Sequence, residues 1–230
     1  MCQYGETEMS AEKPRRPYHM TARAEQQEQT RRRITESAVH LHGTLGPART
    51  SMTAVAEHAG VRRSTLYRHF PDEASLFDAC TAHWRAENPP PDLAAWAGIA
   101  DPDERLHHGL AELHAFYTRT APMLENLFRD EAVSPPVAER FAAFRGYLAQ
   151  ACETLMEGRE LREPAAGLVR GAIAHAIGFS TWRSLVREHQ VGDEDAVRLL
   201  CALVEAHALR ALRAQHAGGR AAGRQLGALG

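Results

Sequence analysis

Apolar side chains recur at helical spacing along this chain, and no segment shows the alternation of a half-buried strand bounded by hairpin turns. Ile34, Ala38 and Leu41 stand at i, i+4 and i+7 and predict a first helix over about 25–42. Ser51 is a good N-cap for a short second helix carrying Val55 and Ala59, and Gly60 then allows a turn of positive φ. A third helix is expected from Arg63 to Phe70, with Leu66 and Phe70 inward and Pro71 ending it. Asp72 caps a fourth, which turns Leu76, Phe77 and Cys80 inward and runs to about 86.

The run Glu87-Asn88-Pro89-Pro90-Pro91-Asp92 breaks this pattern and marks a domain boundary. Beyond it each helical stripe has its own start signal. Asp101-Pro102 opens one with Leu106, Leu110, Leu113 and Tyr117 in line, and Pro122 opens a short one with Leu124, Leu127 and Phe128. Ser134-Pro135-Pro136 opens a long one through Val137, Phe141, Phe144, Leu148 and Leu155. Pro164 opens another reaching about Arg187, and Gly192-Asp193 opens the last, with Val197, Leu200, Val204 and Ala211 aligned. The expectation is an all-α protein in two domains. A helix-turn-helix domain over 25–86 follows a flexible arm over 1–24, and a larger helical domain over 93–217 ends in a disordered tail over 218–230.

Composition narrows the class. At 44% apolar residues the chain can bury a core, yet no apolar run reaches the roughly 18 residues of a membrane span. With no signal-peptide pattern, a soluble cytoplasmic protein is expected. Cys2, Cys80, Cys152 and Cys201 follow no zinc spacing and read as free, mostly buried thiols. The net charge of −2 conceals an excess of two positive charges over residues 1–86, where basic residues cluster at Lys13-Pro14-Arg15-Arg16, Arg31 to Arg33, and Arg62, Arg63 and Arg68. The first of these clusters lies in the arm, which reads either as an inert tail or as a segment that touches DNA, and Met20 is a second candidate start that would remove it.

Two short helices joined by a glycine turn form the unit whose second helix enters the DNA major groove. That helix presents Arg62, Arg63, Ser64, Thr65, Tyr67, Arg68 and His69 around its N-terminal end. Arg62 or Arg63 is the expected guanine reader, since the planar guanidinium matches the O6 and N7 acceptors. Thr65 suits a thymine methyl or a phosphate. Thr50, Ser51 and Thr53, at the start of the preceding helix, can donate to phosphate oxygens.

The stretch Ala59-Gly60-Val61-Arg62-Arg63-Ser64-Thr65-Leu66-Tyr67-Arg68-His69-Phe70 resembles the N-terminal domain of the TetR family of bacterial transcriptional regulators. Matching positions are Ala56, Ala59, Gly60, Val61, Thr65, Leu66, Tyr67, His69, Phe70, Leu76 and Phe77. The resemblance implies that Tyr67 and His69 contact phosphates. It also implies a homodimer paired through the last two long helices, a near-palindromic operator on double-stranded DNA, and repression relieved by a small-molecule effector. Three positions depart from the family pattern: His42 stands where Phe is usual, Arg62 where a small capping residue is usual, and Glu73 where a phosphate-contacting lysine is usual.

For the dimer, Gly171 to Phe179 alternates small and apolar residues, Trp182 and Leu185 extend that stripe, and the last helix offers Leu200, Val204 and Leu212. The effector is expected to be apolar or aromatic, held by Phe116, Tyr117, Met123, Phe128, Phe144, Tyr147, Met156, His175 and Phe179, which also serve equally well as plain core. His107, His108, His114 and Glu112 invite a metal reading, but no metalloenzyme signature is present and neither metal nor cofactor is expected. No nucleophile elbow, phosphate loop or dinucleotide fingerprint points to an enzyme. The alternative, supported by Glu73, is an all-helical ligand-binding or redox-sensing protein that has lost operator binding.

Overall fold

The computed structural model describes the backbone of residues 18–226, and side chains over 22–210 and at 213. Among the described residues the regular structure is helical: α1 (Tyr18–Thr44), α2 (Met52–His58), α3 (Arg63–His69), α4 (Glu73–Glu87), α5 (Leu93–Ala97), α6 (Pro102–Glu131), α7 (Pro135–Met156), α8 (Ala165–Ala176), α9 (Phe179–Trp182) and α10 (Asp193–Leu226). A 3-10 turn at Pro47–Arg49 joins α1 to α2, and α9 runs on into a π-helical turn at Arg183–Glu188.

Two apolar cores are built from these elements. In the first, Ile34 and Ala38 of α1 meet Met52, Val55 and Ala56 of α2, Leu66 of α3, Phe70, and Leu76 and Cys80 of α4. Phe70 and Leu66 are wholly buried, each contributing about 1.5–3 kcal/mol. The second core lies among α5 to α10 around Trp96, Leu106, Leu110, Phe116, Tyr117, Leu155, Ile173, Trp182 and Leu200. Its centre is the long helix α6, which packs on α7 and α10 and reaches across to α1. Asp193, at the start of α10, accepts hydrogen bonds from Trp182 Nε1 (3.1 Å) and the Thr118 hydroxyl (3.1 Å), and faces His114 Nδ1 at 3.3 Å, which draws α6, α9 and α10 together.

Several helix boundaries differ from expectation. The arm expected over 1–24 is helical from Tyr18, because Ala, Arg, Glu and Gln favour helix even where the exposed surface gives no apolar stripe to signal it; residues 1–17, with the Lys13–Arg16 cluster, lie outside the described residues. Pro122 does not open a helix of its own but sits inside α6. A mid-helix proline costs about 3 kcal/mol, and burial of Tyr117, Ala121, Met123 and Leu124 on both sides of it offsets that loss. The helix expected from Pro164 to Arg187 breaks at Ile177-Gly178. There the Tyr117 hydroxyl donates to Ile177 O (2.6 Å) and the Thr181 hydroxyl to His175 O (2.6 Å), taking carbonyls that a continuous helix would use. Helix α10 continues to Leu226, into the stretch expected as a tail; the last four residues lie outside the described residues. Helix α5, within the expected domain from 93 on, is capped by Asp92 and inserts Trp96, whose Nε1 donates to Glu112 Oε2 (2.5 Å).

Candidate nucleic-acid interface and the adjoining cavity

The turn between α2 and α3 is set by the backbone. Gly60 has φ +62°, Val61 N–H donates to Ala56 O (3.0 Å) and Gly60 N–H to Glu57 O (3.0 Å), the paired bonds of a Schellman stop. At the other end of α2 the Ser51 hydroxyl accepts from Ala54 N–H (3.2 Å), which leaves its own proton free to donate outward. Thr53 is exposed beside it. The Thr50 hydroxyl instead donates to Gly46 O (2.8 Å), so its proton is already used within the protein.

Helix α3 turns Leu66 into the core and leaves Arg62, Arg63, Ser64, Tyr67 and Arg68 exposed, with Thr65 and His69 half-buried. Arg62 occupies the N-cap without a side-chain cap bond, as its length and charge require. The Arg63 guanidinium lies over the Tyr67 ring, 5.5 Å from its centroid and with NH2 3.4 Å from the hydroxyl. This contact holds the arginine extended along the exposed face. Partial burial, followed by the charges of Arg68 and Arg31, pushes the His69 pKa below its ordinary value.

Arg31, counted above only as part of a basic cluster, has a structural task. Its NH1 donates to His69 O (2.9 Å) and its guanidinium sits 4.3 Å from the Phe70 ring centre, which ties α1 to the end of α3. Glu73 is exposed at the first position of α4, next to Asp72, whose carboxylate closes a capping box with Ser75.

A second set of side chains, missed in the sequence, joins this head to the helical body. Near the end of α6, Asn126 Nδ2 donates to His42 O (3.0 Å) and Gly43 O (2.8 Å), and Arg129 NH2 donates to Leu45 O (2.8 Å). Asp130 Oδ2 accepts from Ala48 N–H (3.0 Å), while Arg129 Nε donates to its Oδ1 (2.8 Å). Burial raises the Asp130 pKa, but these bonds outweigh it and hold the carboxyl below the usual range. Gly46, at φ +97°, leaves no room for a Cβ against Arg129 and Asp130. The sequence feature that could have pointed to this joint is Gly46, just past the end of α1.

A cavity of about 120 Å³ opens beside the joint. Its walls are Val39 and His42 of α1, one face of α4 (Phe77, Cys80, Thr81, Trp84, Arg85), then Phe116, Met123, Leu124 and Leu127 of α6, and Val137, Arg140, Phe141, Phe144 and Tyr147 of α7. Of the residues expected to hold an effector, Phe116, Met123, Phe144 and Tyr147 line it. Tyr117, Phe128, Met156 and Phe179 instead pack in the body core, where Phe128 stacks on Phe179 and the Tyr117 ring meets it edge-on; His175 is on the surface. His42 is buried against Cys80, with Nδ1 3.4 Å from the thiol and its ring tilted on Phe77. Burial lowers its pKa to about 4 and raises that of Cys80 to about 12, so both are neutral at physiological pH.

The helices expected to pair in a dimer present a different stripe from the one anticipated. Ile173, Phe179, Trp182, Leu200 and Val204 are buried within the chain, and Leu185 is half-buried. Leu168 of α8 (59% exposed) and Leu199 (45%), Leu203 (59%) and Leu209 (53%) of α10 face outward instead. Leu212 lies outside the described side chains. His108 pairs with Glu112 at the surface (3.6 Å) while His114 faces Asp193, and among the described residues no group of three or more metal-ligating side chains is gathered. Cys80, Cys152 and Cys201 are buried free thiols. No described helix is long and apolar enough to cross a membrane.

Residues 34–80 match the sequence model of a family described as bacterial regulatory proteins, tetR family. A comparison with curated proteins gives no match. Solved structures share the fold over most of both chains. A putative TetR-family transcriptional regulator from Mesorhizobium loti is 17% identical over 79% of this chain and 96% of its own, with a TM-score of 0.57. NalD, the secondary repressor of the MexAB-OprM multidrug efflux pump in Pseudomonas aeruginosa, is 20% identical over 79% and 96%, with a TM-score of 0.55. A putative fatty acid metabolism regulator from Clostridium perfringens is 15% identical over 75% and 96%, also at 0.55. At these identities the likeness speaks for the fold, and the matched segment spans the helix-turn-helix and the cores of α1 and α4. Residues 34–80 thus match the helix-turn-helix domain of the tetR family of bacterial regulatory proteins, and the fold of the described chain is shared with solved TetR-family regulators.

Proposed function

We propose that this transcriptional regulator is a cytoplasmic repressor. It binds a near-palindromic operator as a homodimer and leaves it when a small apolar or aromatic effector enters the cavity at the joint. The head over 25–86 reads DNA, and the body over 93–217 dimerises and senses. The observation that carries this reading is the helix-turn-helix itself. Leu66 and Phe70 anchor α3 from below, while Arg62, Arg63, Tyr67 and Arg68 face outward on one short helix.

Two further features support it. The outward leucines of α8 and α10 form an apolar face on the elements that the family pairs, and a two-fold interface needs such a self-complementary patch. The cavity takes its walls from α1 and α4 of the head and from α6 and α7 of the body. A ligand that fits one relative placement of those helices better than another shifts the head, and by linkage the operator affinity. Neither a cofactor nor catalysis enters this reading.

Sedimentation of the full chain, alone and with a pool of random duplexes, tests it. The expected result is two chains in the free protein and a DNA complex whose affinity falls by about a thousandfold or more between roughly 50 and 200 mM salt. A folded dimer that leaves every duplex free at low salt would instead favour a family member that has lost operator binding, with exposed Glu73 beside Asp72 repelling the phosphates.

A further inference from the structure

The cavity at the joint is apolar over most of its wall, yet its charged lining is of one sign: Arg85 and Arg140 border it, and no Asp or Glu does. Arg85 is exposed at the outer end of the α4 face, two turns beyond Phe77. Arg140 is three-quarters or more covered and already committed. Its Nε donates to Asp78 Oδ1 (2.8 Å), its NH1 donates to Pro136 O (3.2 Å), and its guanidinium lies 4.9 Å from the centre of the Phe77 ring. Asp78 is two-thirds exposed on α4, so this ion pair spans from the head to α7 and is open to exchange. Deeper in, His42 and Cys80 are uncharged, so they set no negative charge against a cation.

We infer that the cavity takes a small monocarboxylic acid with an aromatic or short aliphatic body, whose carboxylate is bound by Arg85 and by Arg140 in place of Asp78. This rests on the reading of the cavity as the effector site. A cavity of about 120 Å³ is of the order that holds a single ring or a chain of about six carbons. A guanidinium matches a planar carboxylate through two parallel hydrogen bonds, and a second cation nearby strengthens the pair where the wall is apolar. A cationic ligand would be repelled by both arginines, and a neutral oxygen acceptor would form only the weaker bonds that lack a charge on the acceptor. The exchange also gives the ligand a lever: once Arg140 turns to the ligand, α4 loses its ion pair to α7, and the head is held to the body by fewer contacts.

Isothermal titration calorimetry on the full chain tests this with matched probes: hexanoate against hexanol, and benzoate against benzyl alcohol. At least one acid is expected to bind about tenfold or more tightly than its alcohol. Arg85→Gln and Arg140→Gln should each weaken the acid by about tenfold and leave the alcohol unchanged, while Leu127→Trp, which fills the cavity, abolishes both. Equal binding of acid and alcohol, or acid binding indifferent to both arginine variants, would overturn the ligand class while leaving the cavity as a binding site. Acid binding that survives Leu127→Trp would place the site elsewhere and overturn the proposal. No binding of any of the four probes would overturn the cavity as the effector site for ligands of this size, and the acid with it.

Discussion

His42 offers a test of the head's packing that needs no ligand and no operator. It lies in the joint between α1 and α4, where the family usually has Phe, and burial depresses its pKa to about 4 from an ordinary 6.5. A histidine held neutral in the fold takes up a proton more readily when unfolded. Between the folded and unfolded pKa the unfolded state therefore binds more protons, and stability falls as the pH falls. The contribution is fully present above about pH 6.5. It is lost at about 1.4 kcal/mol per pH unit on the way down to about 4, or about 2 kcal/mol between pH 7.5 and 5. In His42→Phe that loss disappears, while carboxylates and the other histidines titrate alike in both proteins and cancel in the difference. Urea unfolding of wild type and variant across this range reads it directly. A wild-type minus variant difference that stays flat from pH 7.5 to 5 would refute the burial of a neutral His42, and with it the packing of α1 on α4.

Two further substitutions probe the joint and the outward leucines. Asp130→Ala removes the acceptor of Ala48 N–H and the partner of Arg129, and should cost about 2–3 kcal/mol in urea unfolding; in a cycle with Arg129→Ala the two losses should be non-additive, and simple additivity would show that the pair does not act as a unit. Leu203→Glu places a charge where the single chain tolerates it, so sedimentation should show a shift to monomer with the unfolding of that monomer still cooperative; an unchanged dimer would remove this face of α10 from the interface.

Local signals were the most legible part of the sequence. Ser51, Gly60, Pro71 and Asp72 each act through the backbone within a few residues, and so the helix-turn-helix and its limits could be read from the chain alone. Features set by distant parts of the chain could not. Pro122 looks like a helix start until the burial on either side of it is known, and α8 ends where the Tyr117 hydroxyl, sixty positions away, takes a carbonyl. Leu200 and Val204 cannot be told from Leu199 and Leu203 by spacing, because the two stripes run one residue apart along the same helix and only the packing decides which is inward. The cavity divides the expected aromatic set for the same reason. Phe116 and Tyr117 are adjacent, yet the first lines it and the second is sealed in the core. Most of the joint was invisible, since Asn126, Arg129 and Asp130 act on backbone groups about 82–84 residues earlier.

In the proposed function, two copies of α3 read two inverted half-sites, with Arg63 among the readers. Selection from a random duplex pool at near-physiological salt, run in parallel with wild type and Arg63→Ala, tests it most directly. Wild type should enrich a near-palindrome. The variant should lose at least about 1 kcal/mol of specific affinity and keep the half-site spacing while relaxing preference at one base in each half. A wild-type motif without inverted symmetry would contradict the dimeric reading, and an unchanged motif and affinity in the variant would take Arg63 out of the interface.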